Sequence, residues 1–136
     1  MVVDASVWVS YFLAGDANHE ATVDWLEGVI RAGSLFAPFL LLPEIAGAFA
    51  RRSGSVDLGL EVAQELRDLP SLTLVPLEAD LADLSIHVAA TLPLRGPDAV
   101  YVATAEMLGV PLVTWDGEQR TRGAVVVPTR SPGEPG

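Results

Sequence analysis

The chain opens "MVVDASVWVSYFLAG" (residues 1–15), and the way those residues divide decides the fold. Val2 and Val3 are β-branched and suit a short buried strand, while the apolar run that follows predicts a helix from Ala5 to Leu13. Between them stands Asp4. A carboxylate is costly to desolvate at the end of a buried strand, so it either caps the helix beginning at Ala5 or does chemistry. The rest of the chain shows which of these deserves weight.

The strand-then-helix rhythm repeats. "DANHEATVDWLEGVIRAG" (16–33) sets Val23, Leu26 and Ile30 at helical spacing and ends in Gly33, a suitable C-cap. "LFAP" (35–38) predicts a strand stopped by Pro38. "LLPEIAGAFARRSG" (41–54) predicts a helix to about Arg52, with Pro43 early enough that its missing N–H costs little. Two more helices, "VDLGLEVAQELRDLP" (56–70) and "EADLADLSIHVAATLP" (78–93), flank the strand-like "LTLVPL" (72–77). The last third divides into the helix "GPDAVYVATAEMLG" (96–109), the strand "VPLVTWD" (110–116), a connection "GEQRTRG" (117–123) and a final strand "AVVVP" (124–128). Strands alternating with helices predict an α/β domain with a mainly parallel sheet.

At 136 residues the chain fits one domain. That domain is expected over residues 1–128, with a Pro-, Gly- and Ser-rich tail at 129–136 expected to be disordered. Half of the residues are hydrophobic, yet charges, Gly and Pro cut every apolar run below membrane-spanning length, and the N-terminus lacks the pattern of a secretory signal. The expectation is a cytoplasmic protein without a membrane partner. Cys is absent, which excludes disulfides and thiolate metal sites, and Lys is absent too, so all eight positive charges are Arg. No mechanism that needs a catalytic or phosphate-binding Lys is available. The formal charge of −10 disfavours nonspecific attraction to nucleic acid, so any such contact must be local.

In an open parallel sheet, ligands gather outside the carboxyl ends of the strands, at the point where strand order reverses. Asp4 ends one strand and Asp116 another, while Glu44 and Asp98 begin helices near the same edge. Each acid also has a purely structural account. Asp4 can be an N-cap, Glu44 and Asp98 favour helix starts through the helix dipole, and Asp116 before Gly117 suits a turn. Their joint placement carries more information. With an effective dielectric of about 20 and separations of about 6 Å, the six pairs among four carboxylates repel by about 17 kcal/mol in total. That exceeds the stability of about 5–15 kcal/mol of an ordinary domain. Four converging acids must therefore be partly protonated, paired with Arg, or bound to a divalent cation. An all-oxygen set selects Mg²⁺ or Mn²⁺ over Zn²⁺.

"VVDASVWV" with Asp4 and Ser6, "LLPEIAGAFAR" with Glu44, and "LRGPDAVYVATAEMLGVPLVTWD" with Asp98 and Asp116 together resemble PIN-domain ribonucleases, in particular the VapC-type toxins of toxin-antitoxin pairs. The likeness runs from Met1 to about Pro128 and rests on the ordered set, since no single motif in it is specific. It implies a five-stranded parallel sheet flanked by helices, with Asp4, Glu44, Asp98 and Asp116 as Mg²⁺ or Mn²⁺ ligands, directly or through water. Ser6 and Thr114 would be hydroxyls that orient those carboxylates or a water. The implied activity is endonucleolytic hydrolysis of RNA, and the implied partners are a small cognate antitoxin and a second copy of the chain. Trp115 departs from the family pattern, being bulkier than the small or aliphatic residue expected after Thr114.

On so acidic a chain, RNA needs help from arginines. Arg51 and Arg52 follow Glu44 by about two helical turns, Arg95 precedes the Asp98 helix, and Arg120 and Arg122 follow Asp116. Each of these has a solvated surface Arg as its ordinary alternative. His19 and His87 read as surface or packing residues, and Trp8, Trp25, Trp115, Tyr11 and Tyr101 as core or dimer contacts. A signalling receiver and a dehalogenase-like phosphatase share the acidic pocket but need a Lys, and a P-loop is absent. A housekeeping RNA-processing nuclease and a non-cleaving metal- or RNA-binding adaptor remain as alternatives on the same scaffold.

Overall fold

The computed structural model describes residues 1–135. Its first strand, β1 (Val2–Val3), is only two residues long and wholly buried. Asp4 then turns the chain into α1 (Ala5–Phe12), capping it by accepting the Ser6 N–H. After α2 (His19–Ala32) come β2 (Leu35–Pro38), α3 (Leu41–Ser53), α4 (Val56–Arg67) and β3 (Leu72–Val75). The second half runs α5 (Ala79–Thr91), α6 (Gly96–Leu108), β4 (Leu112–Val113), α7 (Gly117–Gly123) and β5 (Thr129–Arg130).

The strands form one sheet in the order β3-β2-β1-β4-β5, and every pairing is parallel. Val2 lies between Phe36 and Leu112, and Val3 beside Val113. Parallel neighbours joined by helices put all the carboxyl ends on one edge. Strand order reverses at β1, whose neighbours β2 and β4 belong to opposite halves of the chain, so a crevice opens beyond Val3 and Val113.

Helices cover the sheet because the strands are apolar on both faces. α6 is buried continuously from Ala99 to Ala105, and its small residues let it lie close over β1, β2 and β4. A helix surrounded in this way has no polar face to read, which is why its sequence is apolar nearly all round. α3 and α4 pack closely because position 59 is Gly: a Cβ there would come within 2.5 Å of the Ala46 carbonyl oxygen.

Two segments differ from their sequence reading. Residues 117–123, expected as a connection, form α7, because Asp116 accepts the N–H groups of Glu118 at 2.9 Å and Gln119 at 3.1 Å. Asp116 followed three residues later by Gln119 has the spacing of a capping box, so the signal was there. Residues 124–128, expected as the last strand, are turns in which Val125 and Val126 point to solvent and Val127 anchors in the core. The fifth strand starts only after that stretch, at Thr129, inside the segment expected as a disordered tail. Gly123 sets that path, since a Cβ there would press on Val102 and Thr129 at 3.2 and 3.3 Å. Of the expected tail, Gly136 lies outside the described residues. Among those described, no helix is long and apolar enough to cross a membrane.

Candidate active site

The crevice beyond β1 and β4 is organised around Asp4, which is 5% exposed. Its Oδ2 accepts the Ser6 N–H at 3.0 Å and the Thr114 hydroxyl at 3.1 Å. Thr114, fully buried just past β4, also lies 3.2 Å from the Ser6 hydroxyl and accepts the Asp116 N–H at 3.0 Å. Ser6 in turn accepts the Trp115 N–H at 3.1 Å. One polar net thus stitches the end of β1 to the end of β4, across more than a hundred residues of sequence. Asp4 is therefore an N-cap, as one of its two readings expected, and the same carboxylate also takes the Thr114 hydroxyl from across the sheet.

The other three acids are positioned separately. Asp116 turns Oδ1 onto the first N–H groups of α7. Glu44, in the first turn of α3, accepts the Tyr101 hydroxyl at 2.8 Å on Oε1. Asp98, in the first turn of α6, takes the Arg95 Nε–H at 3.2 Å on Oδ2. Each carboxylate thus spends one oxygen on its own support. Among the described residues, Asp4 Oδ1, Glu44 Oε2, Asp98 Oδ1 and Asp116 Oδ2 accept no protein hydrogen bond.

The acids sense one another. Burial raises the Glu44 carboxyl above the usual carboxylate range; the Tyr101 hydrogen bond opposes the rise, and the charges of Asp4 and Asp98 add to it. Burial likewise raises Asp98, with Arg95 opposing and Asp4 and Asp116 reinforcing. The Tyr101 hydroxyl is pushed far up by burial and by Glu44, so it remains a proton donor. The four side chains nevertheless stop short of a closed cage. Among the described residues, no group of three or more His, Asp or Glu side chains is set to hold a metal ion as it stands.

The arginines part company. Arg52 lines a groove of about 330 Å³ that it shares with Ser6, Asp16, Trp115 and Asp116. Arg95 is exposed and paired with Asp98. Arg51 folds back along α3, its Nη1 where a Cβ on Gly47 would meet it at 2.9 Å. Arg120 donates to the Thr114 carbonyl at 3.3 Å, and Arg122 is held by Glu118 and the Pro93 carbonyl. Arg120 and Arg122 thus have protein partners, while Arg51 lies along its own helix. His19 also packs, with a ring nitrogen 2.8 Å from the Ser10 carbonyl oxygen.

Sequence reasoning missed two neighbours of the acids. Tyr101 read as core, and it is buried; its tip nonetheless reaches Glu44. Gln119, also fully buried, donates through Nε2 to the Asp98 carbonyl at 3.3 Å and joins the starts of α6 and α7. Its place three residues after Asp116, at capping-box spacing, was the available clue.

The chain matches the PIN domain over residues 1–124. No curated protein sequence matches it. Its fold is similar to that of VapC20 from Mycobacterium tuberculosis, a sarcin-ricin loop cleaving toxin, with a TM-score of 0.75 and 21% identity over 90% of this chain and 94% of that one. VapBC2 from Rickettsia felis, solved on a DNA fragment from its promoter, gives 0.72 and 11% identity over 96% and 97% of the two chains. FitAcB from Neisseria gonorrhoeae gives 0.71 and 16% over 94% of each. These likenesses concern the fold, and the domain match, which spans nearly the whole chain, gives the family. With its acids at the reversal point of a five-stranded parallel sheet, the chain belongs to the PIN-domain family.

Proposed function

We propose that the chain is a divalent-metal-dependent endoribonuclease and the toxin of a toxin-antitoxin pair, acting in the cytoplasm. One observation carries the proposal: four carboxylates from four segments lie near enough at the sheet's reversal point for their charges to act on one another, though not closed into a cage, and each has one oxygen committed to the protein and one uncommitted. The donor set suits a hard cation and no other common group. Asp4, Glu44, Asp98 and Asp116 would hold Mg²⁺ or Mn²⁺, directly or through water. When bound, the ion supplies an acidified water for in-line attack on phosphorus and offsets charge developing on the phosphoryl and leaving 3′ oxygens.

The chain's own residues prepare that chemistry. Ser6 and Thr114 fix the Asp4 carboxylate, and the first N–H groups of α7 fix Asp116. Tyr101 orients Glu44. Arg52, which lines the groove, and the exposed Arg95 would contact RNA phosphates, Arg95 by exchanging its carboxylate partner for a phosphate. The acidic mouth also suits a basic antitoxin segment. The VapBC2 complex supports such a partner, and the family resemblance supports a homodimer.

The test is transcriptome-wide mapping of new RNA ends after brief expression of wild type and Asp98→Asn. Discrete new ends are expected with wild type and none with the variant. Identical end maps with both proteins folded would rule out Asp98-dependent cleavage.

A further inference from the structure

The groove beside the acids has a polar lining that phosphodiester hydrolysis does not explain. Trp115 lines it and is held at both ends: its backbone N–H donates to Ser6 Oγ at 3.1 Å, and its indole Nε1–H donates to Thr22 Oγ1 at 2.9 Å. Thr22 is itself tied to the Asn18 carbonyl at 2.7 Å. The ring is thus a half-buried, pre-set surface rather than a mobile cover. Rigid aromatic faces of this kind stack nucleobases with little ordering cost.

Opposite chemistry comes from the loop between α1 and α2. Asp16 Oδ2 accepts the Ser10 hydroxyl at 2.7 Å and the Asn18 N–H at 2.9 Å, leaving Oδ1 without a protein partner among the described residues. The Asn18 side-chain amide takes no part in capping α2, although Asn18 is the cap residue. Both residues line the groove, as does Arg52. A carboxylate there repels phosphate and the carbonyl edges of a base, and it accepts from N–H groups. Guanine answers this lining best, because its Watson–Crick edge sets N1–H and the N2 amino group side by side next to the O6 acceptor. Uracil offers a single N–H between two carbonyls, and adenine and cytosine offer one amino group beside a ring acceptor.

We propose that this groove is a nucleobase subsite that takes a guanine adjacent to the cleaved bond, stacked on Trp115, with its N–H edge on Asp16 and its O6 toward the Asn18 amide. The proposal rests on the ribonuclease reading for its biological meaning, and its test does not depend on cleavage. Asp16→Asn is the informative variant. It can keep the bonds from Ser10 and Asn18 on its remaining oxygen while turning the uncommitted position from acceptor to donor.

The experiment is a titration of GMP, AMP, CMP and UMP, which share the same phosphate, followed through the Trp115 indole N–H resonance in the presence of Mg²⁺. Trp115→Phe assigns that resonance, and the Trp8 and Trp25 indoles are internal controls. GMP is expected to shift it saturably and to bind about tenfold more tightly than UMP, with the preference lost in Asp16→Asn. Equal shifts from all four nucleotides, no shift, or a preference for guanine that survives Asp16→Asn would each overturn the subsite. Failure of metal binding, by contrast, would sink the nuclease reading and leave the base preference to be judged on its own titration.

Discussion

Two sets of buried or half-buried hydroxyls in this molecule behave differently. In the α5–α6 layer, Ser85 and Thr104 are buried and each donates to the carbonyl four residues back in its own helix, at 2.7 Å. At the strand ends, Ser6 and Thr114 bond to each other and to Asp4, Trp115 and Asp116, joining segments from opposite halves of the chain. The first set closes locally and makes no further demand. The second closes only when the sheet is assembled, and it leaves carboxylate oxygens over. A buried polar group that satisfies itself within its own turn reports packing, whereas one that spans elements and still leaves valence unused reports a site.

Matched substitutions sharpen that contrast. Thr114→Val strands the Asp116 N–H and frees Asp4 from its hydroxyl, and a loss of roughly 1–3 kcal/mol is expected. Thr104→Val removes only a back-bond within a helix, which is near neutral or slightly favourable to lose. Urea unfolding of the two variants side by side checks this, and equal losses would erase the distinction.

Tyr101→Phe probes the second support. It keeps the buried ring but removes the donor to Glu44, so Mn²⁺ affinity is expected to fall by about tenfold, at the low end for residues supporting metal ligands. Calorimetry on wild type and variant reads this directly. An unchanged affinity would place Glu44 outside the metal site.

A smaller effect comes from pH. Glu44 and Asp98 have folded pKa values above their ordinary 4.5 and 3.8, so the native state keeps these protons to higher pH than the unfolded chain does. Their contribution to stability is therefore full below the ordinary values and is lost as pH rises through the raised ones. For metal-free protein, the melting temperature in Asp98→Asn should fall less over that window than in wild type. Saturating Mn²⁺ should flatten the wild-type slope, because the ion favours the charged forms. A wild-type curve no steeper than the variant's would contradict the raised Asp98.

Much of this was legible in the sequence. β1 to β4 and the first six helices follow from apolar runs broken by Gly and Pro, and the four acids stand out because strand ends and helix starts are few. The last stretch misled for a physical reason. Three consecutive valines favour a strand by propensity, but capping by Asp116 spends the preceding residues on α7, and the chain reaches the sheet only at Thr129. Tyr101 was hidden for the opposite reason. An aromatic residue on a buried helix looks like core whether or not its hydroxyl finds an acid 57 residues away.

The most direct test of the central claim, that these four acids form one cation site, is calorimetric titration of Mn²⁺ into metal-free protein, wild type beside Asp98→Asn. Saturable binding to wild type that is lost in a folded variant is the expected result, and it requires no knowledge of the RNA. No binding to folded wild type would reduce the acids to caps and turn residues, and the nuclease reading would go with them.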